Sequence, residues 1–431
     1  MKTFSILSSV KSRYFMPMMC VTLLLGVTAC SSEEFGIETP EVEKELTIDE
    51  LIEKASRLMP PRTRGAYTVT IATNEINFNF DCYATKDMII NWGDGSTTSI
   101  VANKQLSYSH TYTDGESLHF INIEGPDDAI EDISLPRMKI LLLNITYSTM
   151  LQSINLEENY LKTLDLSGCH NLNNLWIKNN NFNSIDLTMC PKLKQLSIEN
   201  NNFTSLDITN FPYLENLYVC NNQLTNINTS ENPNLKRLWI KDNPISNIDL
   251  CNNLNLQDLW CENNPITDLN LTNNKELVFI HLNNIPIKTI NNRPIDSTTF
   301  NVFSKLEALF LENSPFTSLD LSKNQKLILL DISFTDITQL DLLDIKLQRL
   351  YASKSNLTKI KYNRNCLLEM CHVDLCATPF MQLSDDEIFM FLSSLPDRSS
   401  FGTPGIFILG NISPFIEKYI KSLEKKNWYP W

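Results

Sequence analysis

The sequence predicts a mainly β chain with short helices, in which a small antiparallel β-sandwich precedes a solenoid of 21-residue coils sharing one parallel sheet. Three observations predict it. Leu151, Leu172, Leu193, Leu214, Leu235, Leu256 and Leu277 are spaced by 21 residues without exception, the mark of a stacked repeat. Between about residues 66 and 124, apolar and polar residues alternate in short runs bounded by turn residues, as half-buried strands do. Apolar residues make up 42% of the chain, enough for a sizeable core.

Residues 1–29 come first. Lys2, Lys11 and Arg13 make a basic start, an apolar run follows from about Met18 to Val27, and Val27-Thr28-Ala29-Cys30 closes it with small residues before a cysteine. This resembles a bacterial lipoprotein signal with its lipobox. The resemblance implies cleavage before Cys30, acylation of that cysteine, and attachment to a membrane by several acyl chains. The apolar run is shorter than the ~20 residues of a membrane span. Ser31-Ser32-Glu33-Glu34 resembles the surface-export signal of some Gram-negative lipoproteins, which implies an outer-membrane location facing the cell exterior.

Residues 30–61 read as an acidic tether with a short helix at Thr47–Met59, where Thr47-Ile48-Asp49-Glu50 forms an N-terminal cap with acids in the first turn. Residues 62–126 hold the alternating strands and read as the sandwich. Trp92-Gly93-Asp94-Gly95 and Ser109-His110-Thr111-Tyr112 in this segment resemble the signatures of PKD-like immunoglobulin-fold modules. Asp94-Gly95 supplies a turn, Trp92 and Tyr112 are core aromatics, and Asp94 and His110 are turn and strand residues rather than catalysts.

The repeats fill residues 127–383, with Ile130–Leu143 capping the solenoid and joining it to the sandwich. Each unit reads L-x-x-L-x-[IVL]-x-x-N-x-[IFL]-x-x-[IL]-[DN]-[LI], with Asn159, Asn180, Asn201, Asn222, Asn243 and Asn264 at the ninth place. These are leucine-rich repeats. Places four and six share one face of a short strand while place five points to the other. Stacking coils ~4.8 Å apart buries the leucines of one coil against the next, and the ninth-place amide can bond backbone groups of its own and the neighbouring coil. After Leu277, further units start at Leu306, Leu327, Leu347 and Leu368. An insertion of eight residues precedes Leu306, and Ile285 replaces the expected asparagine there; loops added to a repeat often sit at a binding rim, and the alternative is a neutral insertion. Residues 384–431 read as a C-terminal repeat and helical cap: Ser384 caps a helix ending before Pro396, Ile406 and Ile408 point inward in a strand followed by Asn411, and a last helix spans Pro414–Lys425.

Together, the lipobox, the PKD-like motifs and the 21-residue units resemble the BspA-like class of bacterial surface leucine-rich-repeat proteins. Place five, on the outward and concave side of the strand, holds Asn155, Trp176, Ser197, Tyr218, Trp239, Trp260, His281, Phe310, Asp331, Tyr351 and His372, with Phe407 from the cap. A strip of rings on a rigid sheet supplies large contact area at little entropy cost; alternatively, the rings stack on one another simply to shield the sheet. Arg237, Lys236, Lys241, Asp258, Glu262 and Asn283 flank the strip. The candidate ligand-binding residues are Trp176, Tyr218, Arg237, Trp239, Trp260, Glu262, His281, Phe310 and Tyr351, with Cys30 as the lipidation site.

Of eleven cysteines, Cys366, Cys371 and Cys376 with His372 imitate a metal motif, but counting from Leu368 puts Cys371 inward and His372 outward, so no metal is expected. Cys169 and Cys190 occupy one place in consecutive units, within reach of a disulfide in an oxidising compartment. No cofactor-binding or catalytic signature occurs, and an enzyme is not expected. The net charge of −14, about −17 without the basic leader, excludes nucleic acid as a natural partner and favours neutral or basic ligands. The membrane is met only through the lipid anchor. The resulting expectation is an adhesin-like surface protein that binds a host or bacterial protein through the concave face; the alternative is a glycan-binding lipoprotein of a nutrient-uptake system using the same strip.

Overall fold

The computed structural model describes residues 46–59, 69–145, 148–401, 403–410 and 412–430, so Cys30, its leader and Asn411 lie outside the described residues. Helix α1 (Ile48–Leu58) begins at a complete capping box, with Thr47 accepting from the Glu50 amide and Glu50 reaching back to Thr47. Its apolar side sets Leu51 and Ala55 against Ala72, Leu118 and Leu141, and Lys162 of the first coil pairs with Asp49 at 2.8 Å. This helix is therefore docked, where the sequence suggested only a piece of tether.

Eight strands follow: β1 (Val69–Thr73), β2 (Asn77–Ala84), β3 (Met88–Asn91), β4 (Thr97–Ile100), β5 (Lys104–Thr111), β6 (His119–Glu124), β7 (Ile130–Ser134) and β8 (Ile140–Asn144). One antiparallel sheet runs β4-β3-β6-β1-β8, while β5-β2-β7 begins another. Alternate residues of each, among them Ile71, Ile121, Ile123, Phe78, Phe80 and Trp92, are buried in one core. Gly93 in the turn after Trp92 has φ +90°, and a Cβ there would lie 2.4 Å from the Phe120 carbonyl oxygen, so no other residue fits. Asp94 accepts from the Ser96 amide at 2.9 Å and meets His110 Nε2 at 2.7 Å. Its hydrogen bonds with Ser96 hold the carboxyl down at about 2. The Tyr112 hydroxyl donates to the Trp92 carbonyl at 2.7 Å, and the His110 ring stacks on Trp92. These motif residues clasp the strand ends.

The sequence ended the sandwich at residue 126, but β7 and β8 complete its two sheets. β7 pairs antiparallel with β2 on one side and parallel with Ser153–Asn155, the first solenoid strand, on the other. Sandwich and solenoid thus share one sheet, sixteen-stranded among the described residues.

The solenoid strands are three residues long and pair place for place, as Leu175 with Leu196 and Trp239 with Trp260. Places one, four and six are buried, as Leu172, Leu175 and Ile177 show. The ninth-place amide ties each coil to the one before: Asn222 Nδ2 donates to the carbonyls of Ile198, Val219 and Cys220 at 3.0, 3.1 and 3.3 Å, while its Oδ1 accepts from Phe203 N at 3.0 Å. Beyond the insertion a hydroxyl takes the same place: Ser314, Thr335, Ser355 and Thr378 donate to the carbonyl three residues before, or in Ser314's case to Leu282 of the preceding coil. A second amide ladder, which the repeat formula does not show, runs along the opposite wall, where Asn232, Asn253, Asn274 and Asn324 bond carbonyls of the preceding coil. Acids after the second apolar pair accept from the amide two residues on, as Asp186 does from Thr188 at 2.9 Å.

Two expectations need correction. The insertion does not border the strand face: its hairpin, Thr289–Ile290 with Arg293–Pro294, joins Asp268–Leu269 in a separate three-stranded sheet. At the C-terminus, Leu350 pairs with Val373 and Val373 with Phe407. The last unit therefore begins at Met370, not Leu368, and Phe407, 2% exposed, is inward while Ile406 and Ile408 are only partly buried. The cap then closes the core. Helix α2 (Asp385–Ser394), capped by Ser384 and Glu387, packs with α3 (Pro414–Glu424), which Ser413 caps. The buried Trp428 ring occupies the space a side chain at Gly405 would need.

Candidate functional site

Alternation fixes which side chains reach the outer face of the parallel sheet: places three, five and seven. Because neighbouring strands stand ~4.8 Å apart, rings at one place stack. Tyr218 meets Trp239 edge-on at 4.7 Å, Trp239 stacks on Trp260 at 4.2 Å and 13°, Trp260 meets His281 at 4.2 Å, and His281 stacks on Phe310 at 4.0 Å and 14°. The rings do stack on one another, and Trp239, Trp260 and Phe310 still keep part of their surface in solvent. What they present outward is their edges.

The column is interrupted twice. Buried Ser197 separates Trp176 from Tyr218, and buried Asp331 separates Phe310 from Tyr351. His372 does not belong to it. With the last unit starting at Met370, His372 stands at place three and Asp374 at place five, so His372 reaches Tyr351 diagonally, rings 4.5 Å apart. Burial, helped by the nearby Arg349 charge, pushes its imidazole down to about 4. The same shift leaves Cys371 outside the core rather than inward, its Sγ 3.3 Å from the Gln348 carbonyl.

Polar groups lie under and beside the rings. Trp239 Nε1 donates to Asp258 Oδ2 at 3.1 Å, and burial pushes that carboxyl up to about 6, with Trp239 and Arg237 drawing it back. Arg237 donates to buried Asn216 at 3.3 Å and itself stays exposed. Glu262 is buried, its oxygens 3.0 Å from Lys241 Nζ and 3.2 Å from His281 Nδ1. Within the column His281 is buried, with buried Glu262 against it, whereas Arg237, Trp239 and Trp260 reach solvent.

The repeat formula missed the switch at place three. Ser153, Asn174, Gln195, Asn216, Arg237 and Asp258 give way to Phe279, Ala308 and Leu329, which pack with Phe310 and Tyr351 into an apolar cluster. The residues at place three, taken as a column, carry that signal in the sequence. Cys169 and Cys190 stand as free buried thiols, each pushed up to about 12 by burial.

No family model matches the chain, and no curated protein matches it. Among solved structures, it is similar to an internalin, InlF, of Listeria monocytogenes, with 19% identity over 62% of this chain and 85% of that one and a TM-score of 0.51. The fold is the leucine-rich repeat. A leucine-rich-repeat protein of Leptospira interrogans is similar too, with 20% identity over 58% of this chain and 72% of that one and a TM-score of 0.50. At these identities the likeness is one of fold, and what the leucine-rich repeats of this chain bind must be read from its own outer face.

Proposed function

We propose that this chain is a lipid-anchored surface protein of the BspA-like kind, with a PKD-like module before its repeats, that binds a protein partner, adhesin-like, through the outer face of its leucine-rich-repeat sheet. The observation that carries the binding reading is the ring column flanked by Arg237. The coil is built on apolar residues at places one and four and, in most units, an amide or hydroxyl at nine, but nothing in its construction needs tryptophan at five. Sequence supports the anchoring, through the lipobox at Val27–Cys30 and the acids after it. Among the described residues no helix is long and apolar enough to cross a membrane.

Between the two ligand classes, ring geometry favours protein. A sugar binds an aromatic by lying on its face, and the facing sides of Trp239 and Trp260 are taken up by each other at 4.2 Å. Edges beside an exposed cation suit a polypeptide surface, in which aromatic and arginine anchors dominate affinity. No catalytic role is proposed for this face. The test is to screen the full-length chain in mild detergent against host-protein and glycan arrays beside a Trp239→Ala/Trp260→Ala variant. Protein ligands lost by at least tenfold in the variant are expected; glycan ligands alone, or protein ligands the variant retains, would contradict the proposal.

A further inference from the structure

Around Arg237, the charges that reach solvent along the ring column differ in sign from the chain as a whole. The chain carries −14. Yet in the four coils beginning at Leu214, Leu235, Leu256 and Leu277, the column's carboxylates are withdrawn, Asp258 to 8% exposure beneath Trp239 and Glu262 to 2% beneath Lys241 and His281. Lys236 and Arg237 are exposed, and Lys241 keeps 27% of its side chain in solvent. On the strand segments of these four coils the remaining acids are Glu215, paired to Lys236 at 2.7 Å, and Asp242 in the turn, 3.8 Å from Lys241 and bonded by Asn263; the coil of Phe310 adds Glu307 and Glu312, both partly exposed, so the cationic stretch is the part of the column around Arg237. Arg237 touches Asn216 and the Tyr218 side chain; its charge acts on buried Asp258, its partner across the strands, but no carboxylate stands within ion-pair distance of it among the described residues' ion pairs.

Ring electronics act in the same direction. An aromatic ring is negative on its faces and positive at its edge. Stacking hides the faces of Trp239, Trp260, His281 and Phe310 against one another, so the strip offers positive edges and cationic side chains together.

We propose that the column takes an extended acidic polypeptide segment, with its carbonyl oxygens over the ring edges and a carboxylate on Arg237. This rests on the protein-binding reading above and narrows it. It also reverses the expectation from net charge, because burial selects which charges a partner meets. From Tyr218 to Phe310 there are four strand steps, about 19 Å at ~4.8 Å each, the length of about six extended residues. A basic segment would meet Arg237 and Lys241 with like charge.

The experiment is selection of a displayed random heptapeptide library on the immobilised full-length chain in mild detergent, with the Trp239→Ala/Trp260→Ala variant as counter-selection. Enrichment of peptides rich in Asp and Glu is expected, with affinity falling at least tenfold in Arg237→Ala and on raising the salt from 0.05 to about 0.5 M. Arg237→Glu should turn the selection toward basic peptides while the circular dichroism stays unchanged. Enrichment of basic or uncharged peptides, or acidic peptides indifferent to Arg237, overturns the acidic-segment proposal and leaves the protein-binding reading standing. No enrichment over the counter-selection overturns the proposal too, and glycan-only binding on the arrays separately overturns the broader reading.

Discussion

Asn222 shows how much of this fold rests on one side-chain type. Its amide bonds three carbonyls and one N–H in a buried place; alanine would strand the Phe203 N–H, while the carbonyls of Ile198, Val219 and Cys220 would keep Asn201 Nδ2, Asn243 Nδ2 and Asn200 N as donors. One stranded buried N–H costs about 1–3 kcal/mol, so Asn222→Ala is expected to cost about 1–3 kcal/mol, read as a fall in urea midpoint. Asp258 should behave oppositely. Its carboxyl, pushed up to about 6 by burial, stands above the ordinary ~3.9 of an unfolded chain. The folded state therefore holds the proton more tightly, and this contribution to stability is full below about pH 4 and lost as pH rises through about 6. Asp258→Asn keeps an acceptor for Trp239, so the variant is expected to be more stable than the parent at pH 7.5, by roughly 1–3 kcal/mol. The advantage should vanish near pH 4, as parallel urea melts at both pH values would show. Sequence made the ninth-place amide legible because its spacing never varies. It could not show that Asp258 and Glu262 lie beneath the rings, since burial on the outer face depends on how neighbouring coils lean.

At the scale of the element, each strand leaves the sheet through a residue with positive φ at place eight: Asn179, Asn200, Asn221, Asn263, Asn284 and Asn313 all lie between 51° and 56°. Asparagine tolerates that backbone better than other residues with a Cβ, which explains the paired asparagines of the repeat. Phe334 breaks the pattern, at φ 57° and 47% exposed, with Lys354 5.0 Å over its ring. Phe334→Asn would relieve about 1 kcal/mol of backbone strain and lose about 0.5 kcal/mol of cation–π contact. A net gain of about 0.5 kcal/mol is expected, visible as a slightly raised melting temperature. The last unit explains where sequence reading slipped. Leu367, Leu368 and Met370 are all apolar and fall within four residues, so spacing alone could not choose among them, and only strand pairing fixes Met370 as the start. The insertion misled for a related reason: the formula tells how many residues were added, not which wall of the coil they extend.

Across the whole described chain, one sheet passes from β5 through β2 and β7 into the solenoid and on to the C-terminal cap. The sandwich therefore closes one end of the repeat core, with Asn159 of the first coil bonding Met138 N, Ile140 N and Leu135 O just as later amides bond their preceding coil. Terminal units of a solenoid must cover its open core. Removing residues 46–144 would bare Leu151, Ile154 and Leu156, all buried, and such a truncation is expected to aggregate or to lose its cooperative melt, as light scattering and a urea titration would reveal. The ring column sits between these two caps on the open face of the sheet, and its availability to a partner is the central claim. Hydroxyl-radical footprinting of the full-length chain, alone and with a protein ligand drawn from the arrays, tests it most directly. Protection of Trp239, Trp260 and Phe310 is predicted, with the exposed Tyr213, Phe401 and Tyr429 oxidised as before. Column residues oxidised equally in both states, with protection elsewhere, would contradict it.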